Sequence, residues 1–163
     1  MSLMEADIHR VYMQCALDLA DSAAGQGEVP VGAVIVFNDR IVGTGANRRE
    51  RSHDPTTHAE ILAIREASAM LGDWRLENTT LYVTLEPCPM CAGAIVNARI
   101  PTVVYGCDDP KAGAVRSLYR LLEDERLNHR VSVLSGVLAE EASLRLTCFF
   151  KRLRERRTTR IDP

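Results

Sequence analysis

The sequence lacks long apolar runs, internal repeats, low-complexity tracts and linker-like stretches. No part of its 163 residues approaches the ~20 consecutive apolar residues that span a bilayer, which argues against a membrane-spanning helix. The first ten residues, MSLMEADIHR, have neither the basic segment nor the apolar segment of a secretion signal, so a cytoplasmic, reducing compartment is expected. In that setting five cysteines are read as thiols or metal ligands rather than disulfides. What remains is 46% hydrophobic and 26% charged, the balance of a globular protein. One domain covering residues 1–163 is expected, with a core that closes without disulfide staples.

Net charge is also small, at −2, but unevenly spread. Residues 1–150 carry 14 basic and 20 acidic residues, a net −6, whereas KRLRERRTTR (151–160) carries six basic residues and one acidic, a net +5. A basic block on an acidic body suits a polyanionic partner such as nucleic acid. It also suits a solvated helix end, where cations complement the macrodipole.

Periodicity divides the chain into elements. Residues 8–25 put Ile8, Val11, Tyr12, Cys15, Ala16 and Leu19 on one helical face. Residues 30–47 read as a hairpin turning at Asn38-Asp39, followed by a loop, RRERSHDPT. Residues 58–71 are helical, with Ile61, Leu62, Ile64 and Ala69 at helical spacing and Gly72 as the stop. TLYVTLEP, PTVVYGC and RVSVLSGV read as strands, and CPMCAGAIVNAR as a helix that tolerates Pro89 in its first turn. Residues 108–129 begin as a loop and include a short helix. A closing amphipathic helix covers about 137–157. Helix, hairpin, then alternating helices and strands predict a three-layer α/β/α domain with a five-stranded mixed sheet.

The chemistry concentrates in TLEPCPMCAGAI (84–95) and THAEI (57–61). Cys88 and Cys91, nearly one turn apart at a helix start, can face one metal, and the positive helix end favours their thiolates. His58, at another helix start, is the strongest candidate for a third ligand. A structural zinc needs a fourth protein ligand; His53, Cys107 and His129 are available, but none has suitable spacing. Three ligands, an open position and a nearby carboxylate, Glu60, follow the logic of catalytic zinc. The metal lowers the pKa of bound water, and Glu60 can carry the proton.

His-Ala-Glu combined with Pro-Cys-Pro-Met-Cys resembles the zinc-dependent cytidine deaminase-like superfamily. The segments EVPVGAVIV, HDPTTHAEI, LYVTLEPCPMCAGAI, NHRV and CFFKRLRERR are similar to its bacterial tRNA-specific adenosine deaminase branch. The likeness spans about residues 8–157 and is strongest from Glu28 to Gly106. It implies hydrolytic conversion of the wobble adenosine to inosine in the anticodon loop of an arginine tRNA, one zinc per chain and a homodimer. By position it implies His58, Cys88 and Cys91 as zinc ligands, Glu60 as proton shuttle and Asn47 as a base-binding residue. Val29, Pro30, Val31 and the backbone at Ala59 would line the base pocket. Asp109 and Lys111 would stand beside the nucleotide, and Phe149, Phe150, Arg152 and Arg154 would meet the RNA. RRERS after Asn47 departs from the branch's usual Arg-Pro. Two alternatives share the motif: a deaminase of a free base or nucleoside such as guanine or cytosine, and an RNA-binding module with a structural zinc. The basic tail disfavours the first and Glu60 the second.

Overall fold

The structure, a computed structural model, describes the backbone of residues 3–158 and the side chains of residues 7–156 and 158. Of the basic tail, Thr159, Arg160 and the side chain of Arg157 lie outside the described residues. Helix α1 (Leu3–Gly25) leads into the hairpin β1 (Gly32–Phe37) and β2 (Arg40–Ala46). Asn38 and Asp39 both have positive φ, 48° and 59°, the signature of a type I′ turn whose twist matches the strands. β1 then pairs antiparallel with β3 (Thr79–Leu85), and β3, β4 (Thr102–Cys107) and β5 (Ser132–Ser135) run parallel. The order is β2-β1-β3-β4-β5, the expected five-stranded mixed sheet.

Two apolar clusters fill the two faces of the sheet. One packs α3 (Ala59–Leu71) and α4 (Pro89–Asn97) against it through Ala63, Ala67, Ala92 and Ile95. The other packs α1 and the closing helix α5 (Ala139–Thr158) through Met13, Leu17, Leu138 and Ala142. These are the three layers. No described helix is long and apolar enough to cross a membrane.

Several local expectations shift. The buried stripe of α1 is Tyr12, Met13, Ala16, Leu17, Ala20 and Ala23, so Tyr12 and Ala16 lie where expected, while Val11 and Ile8 are exposed. The small residues Ala20 and Ala23 extend the stripe, and hydrophobicity alone had turned it toward Val11. In α3 the fully buried apolar positions are Ala59, Ala63 and Ala67, and the larger Ile61, Leu62 and Ile64 are half-buried. Alanines at i, i+4 spacing let α3 lie close on β2. The approach is so tight that a Cβ at Gly45 would collide with the Ala59 carbonyl oxygen. Only glycine fits there, and only because it has no side chain. The loop after Asn47 contains a one-turn helix, α2 (Arg49–Ser52). Between β4 and β5 the expected short helix is a single 3-10 turn, Leu121–Glu123.

Candidate active site

β3 ends at Leu85, and the chain turns outward through Glu86 and Pro87 to Cys88. Cys88 is the residue before α4, in extended backbone (φ −74°, ψ 173°), and Pro89 opens the helix. His58 occupies the same position before α3 (φ −75°, ψ 155°). Two helix starts therefore meet at the carboxyl end of the sheet, where ligands of α/β folds gather. Cys91 lies one turn inside α4 and is fully buried.

The His58 Nδ1 lies 3.6 Å from the Sγ of Cys88 and 3.6 Å from that of Cys91, and all three donor atoms lie within 4.8 Å of one another. Donors at zinc–sulfur and zinc–nitrogen bond lengths, subtending a tetrahedral angle, stand ~3.6 Å apart, so the set fits the ion. The charges point the same way. A hydrogen bond from the Cys91 thiol, aided by His58, brings the Cys88 thiol down to about 4 against its burial. The same bond, with burial, pushes Cys91 far up. Two sulfurs that cannot both ionise alone are what a divalent cation makes compatible. The three alternatives for a fourth ligand do not join this group. His53 ends α2, the Cys107 Sγ donates to the Thr84 carbonyl at 3.7 Å, and the His129 Nε2 contacts the Ile100 carbonyl at 2.8 Å.

Glu60 is in the first turn of α3, 4% exposed. Burial raises its carboxyl to about 7. It forms part of a pocket of about 670 Å³ into which His58 and Cys88 also open. Among the residues expected at the base, Val29, Val31, Asn47 and Ala59 line this pocket, and Pro30 does not. Asp109, Lys111, Phe150 and Arg154 line it as well. The Asp109 Oδ1 is occupied by its own loop, accepting from the N–H of Lys111 at 3.0 Å and of Ala112 at 3.2 Å. Phe149 and Arg152 face elsewhere, lining a groove between α5 and the end of α1. Residues 149 and 150 differ by about 100° around a helix, and here Phe150 faces the pocket while Phe149 faces the groove.

Three residues of this region were given no role by the sequence, although Glu28 and Glu86 lie within the quoted motifs. Arg49, on α2, reaches the pocket wall. Glu28, 1% exposed, holds α2 in place by accepting the N–H of Glu50 at 3.2 Å and of Arg51 at 2.8 Å. Glu86, 2% exposed, binds the loop after β4. An acidic residue flanking an apolar run is the only hint that sequence offers for either carboxylate.

A three-layer sheet that sets a His-x-Glu helix start against a Pro-Cys-x-x-Cys helix start defines a zinc-dependent nucleobase deaminase. The cytidine and deoxycytidylate deaminase zinc-binding region matches residues 6–107. The tRNA-specific adenosine deaminase of Bacillus subtilis (strain 168) is 50% identical over 147 residues, 90% of this chain and 91% of its own. A solved structure from a study of A-to-I editing by tRNA:A34 deaminases at the wobble position of transfer RNA superposes with a TM-score of 0.80. It is 45% identical, over 83% of this chain and 98% of its own. Guanine deaminase from Bacillus subtilis gives a TM-score of 0.60 and 42% identity, over 61% of this chain and 64% of its own. The chain belongs to the tRNA-specific adenosine deaminase family.

Proposed function

We propose that the protein converts the wobble adenosine of a tRNA anticodon loop to inosine by hydrolysis, and that the tRNA is an arginine tRNA. The observation that carries this reading is the composition of one pocket. Its interior holds Glu60 beside the His58 and Cys88 donors, and the exposed Arg49, Lys111 and Arg154 surround its mouth. A base that enters such a pocket brings phosphates to the cations, whereas a free base brings none. An anticodon loop offers bases that are already unstacked, which lowers the cost of extruding one.

In this reading Val29 and Val31 form apolar walls for the adenine ring, and the Asn47 side chain and the Ala59 backbone orient it. His58, Cys88 and Cys91 would hold a zinc ion, which would supply an activated water for the hydrolysis. Glu60, held inside the pocket by α3, takes a proton from that water and returns it to the ring nitrogen; a second transfer lets the exocyclic amine leave as ammonia. The balance is adenosine plus water to inosine plus ammonia. Asp109 keeps its loop in shape, and Lys111, Phe150 and Arg154 meet the RNA. Phe149 and Arg152 would meet RNA only if it extends over the α1 side of α5.

The enzyme in this proposal is cytoplasmic and homodimeric. The half-buried Gly93 and Ala94 on α4 leave room for a close approach by a second copy, and light scattering at micromolar concentration reads the mass. The decisive experiment incubates the zinc-loaded protein with arginine tRNA bearing the ACG anticodon and sequences the product. Inosine at the wobble position is expected. Turnover of free guanine or cytosine with no inosine in the tRNA would sink the proposal.

A further inference from the structure

The loop after β4 is wrapped around a carboxylate that no part of the chemistry above uses. The Glu86 Oε1 accepts the N–H groups of Val115 at 3.0 Å, Arg116 at 2.7 Å and Ser117 at 2.9 Å. Its Oε2 accepts the N–H of Asp109 at 2.9 Å and the Ser117 hydroxyl. Five donors from one loop thus converge on one side chain. The packing leaves no slack, since a Cβ at Gly113 would collide with the carboxylate itself. Ala114 N–H adds a bond of 2.8 Å to the Pro87 carbonyl. Both anchors belong to the short segment that ends in Cys88. The loop they hold carries Asp109, Pro110, Lys111 and Ala112 along the pocket wall.

From this geometry we infer that Glu86 is a positioning residue for substrate binding: it fixes the 109–117 loop, and with it Lys111, in register with the metal-ligand segment. The inference rests on the RNA reading above for the identity of what Lys111 meets. It does not rest on it for the ordering of the loop. A lysine on a free loop spreads its charge over many positions, while one on a pinned loop offers it at one position, so less entropy is lost when a phosphate docks. Glu86 touches neither base nor metal in this scheme. Its loss acts on affinity and leaves the proton transfers of Glu60 in place.

Glu86→Gln is the sharp variant. A glutamine can offer its oxygen to the three N–H groups of Val115, Arg116 and Ser117, but its amide then faces the Asp109 N–H, donor against donor. The loop is released at the end that carries Lys111. In the zinc-loaded full-length protein, KM for an anticodon stem-loop should rise roughly tenfold, the scale of a lost charge-assisted hydrogen bond, with kcat and zinc content held. Ser117→Ala, which removes one donor and leaves the carboxylate, should give a smaller rise of the same kind and covers the case in which Glu86→Gln does not fold. Combining Glu86→Gln with Lys111→Ala should add little to the KM of Lys111→Ala alone. Amide exchange over 109–117, measured without RNA, should accelerate in both Glu86→Gln and Ser117→Ala. Loss of zinc, a fall in kcat with KM unchanged, full additivity with Lys111→Ala or unchanged exchange would each overturn the inference. If the wild type leaves the stem-loop unedited, the RNA reading fails, and the exchange measurement still decides whether Glu86 orders the loop.

Discussion

Two buried glutamates border the same pocket and are driven in opposite directions. Glu60, inside the pocket, is raised to about 7 by burial. Glu86, in the wall, is also opposed by burial, yet hydrogen bonds from Ser117, Arg116 and Asp109 outweigh it and hold the group down to about 2. Their exposures differ little, 4% against 2%, but Glu60 is enclosed more deeply by protein, while hydrogen-bond donors converge on Glu86. Depth and the number of donors aimed at the carboxylate together separate them. One site keeps a carboxyl that can hold and release a proton, and the other keeps a permanent anion around which backbone is organised. The interior of the pocket is thus fitted for chemistry and its wall for shape.

That contrast makes damage to the two regions distinguishable. The largest effect belongs to the metal ligands: Cys91→Ala should lower zinc from one per chain to none and reduce deamination to background, as read by elemental analysis and an inosine assay. Retained stoichiometric zinc would remove Cys91 from the ligand set. Next comes Glu60→Gln, which should lower kcat on the order of 10²–10⁴-fold while zinc and stem-loop binding persist; wild-type turnover would mean that the proton carrier lies elsewhere. The wall glutamate should register in acid stability instead. Its folded form favours ionisation, so its contribution is complete above the ordinary value of 4.5 and is lost as pH falls toward about 2. Between pH 5 and pH 2 the wild type should lose up to about 3 kcal/mol more unfolding free energy than Glu86→Gln, which cannot titrate there. Parallel curves in urea would contradict that. The smallest effect concerns the two arginines of α5. Arg154→Ala should lower the log–log salt slope of stem-loop binding by about 0.7–0.9, one phosphate contact. Arg152→Ala, on the α1 side, should change it less, and equal changes would show RNA crossing both faces of the helix.

Sequence exposed the interior of the site far better than its wall, for a physical reason. His58 lies 30 residues from Cys88 and is marked by its residue type beside Glu60, whereas Cys88 and Cys91 share one helix start and local spacing alone brings them to a common point. The strands and their antiparallel-then-parallel pattern were legible for the same reason, as were the Asn38-Asp39 turn and the alternation of helix with strand. Glu28 and Glu86 were not, because they are bound chiefly by backbone N–H groups 22 to 31 residues further along the chain, which no residue type marks. An acidic residue reads as surface until those partners are known. The helix α2 was hidden in a charged stretch whose ordering depends on Glu28. The buried faces of α1 and α3 were misjudged where alanine, rather than a larger side chain, made the closest contact.

Gly45 shows how far the reach of the site extends beyond its ligands. It lies on β2, contacts neither pocket nor metal donor, and carries no chemistry. Yet it bears on Ala59, the residue next to His58 and one before Glu60. Any side chain added at 45 must lift the start of α3, and with it His58 and Glu60 together. In a saturation mutagenesis screen scored by inosine, this glycine would therefore score with the zinc ligands rather than with its neighbours in the sheet, and a genetic map of essential positions would mark as catalytic a residue that the reaction never meets.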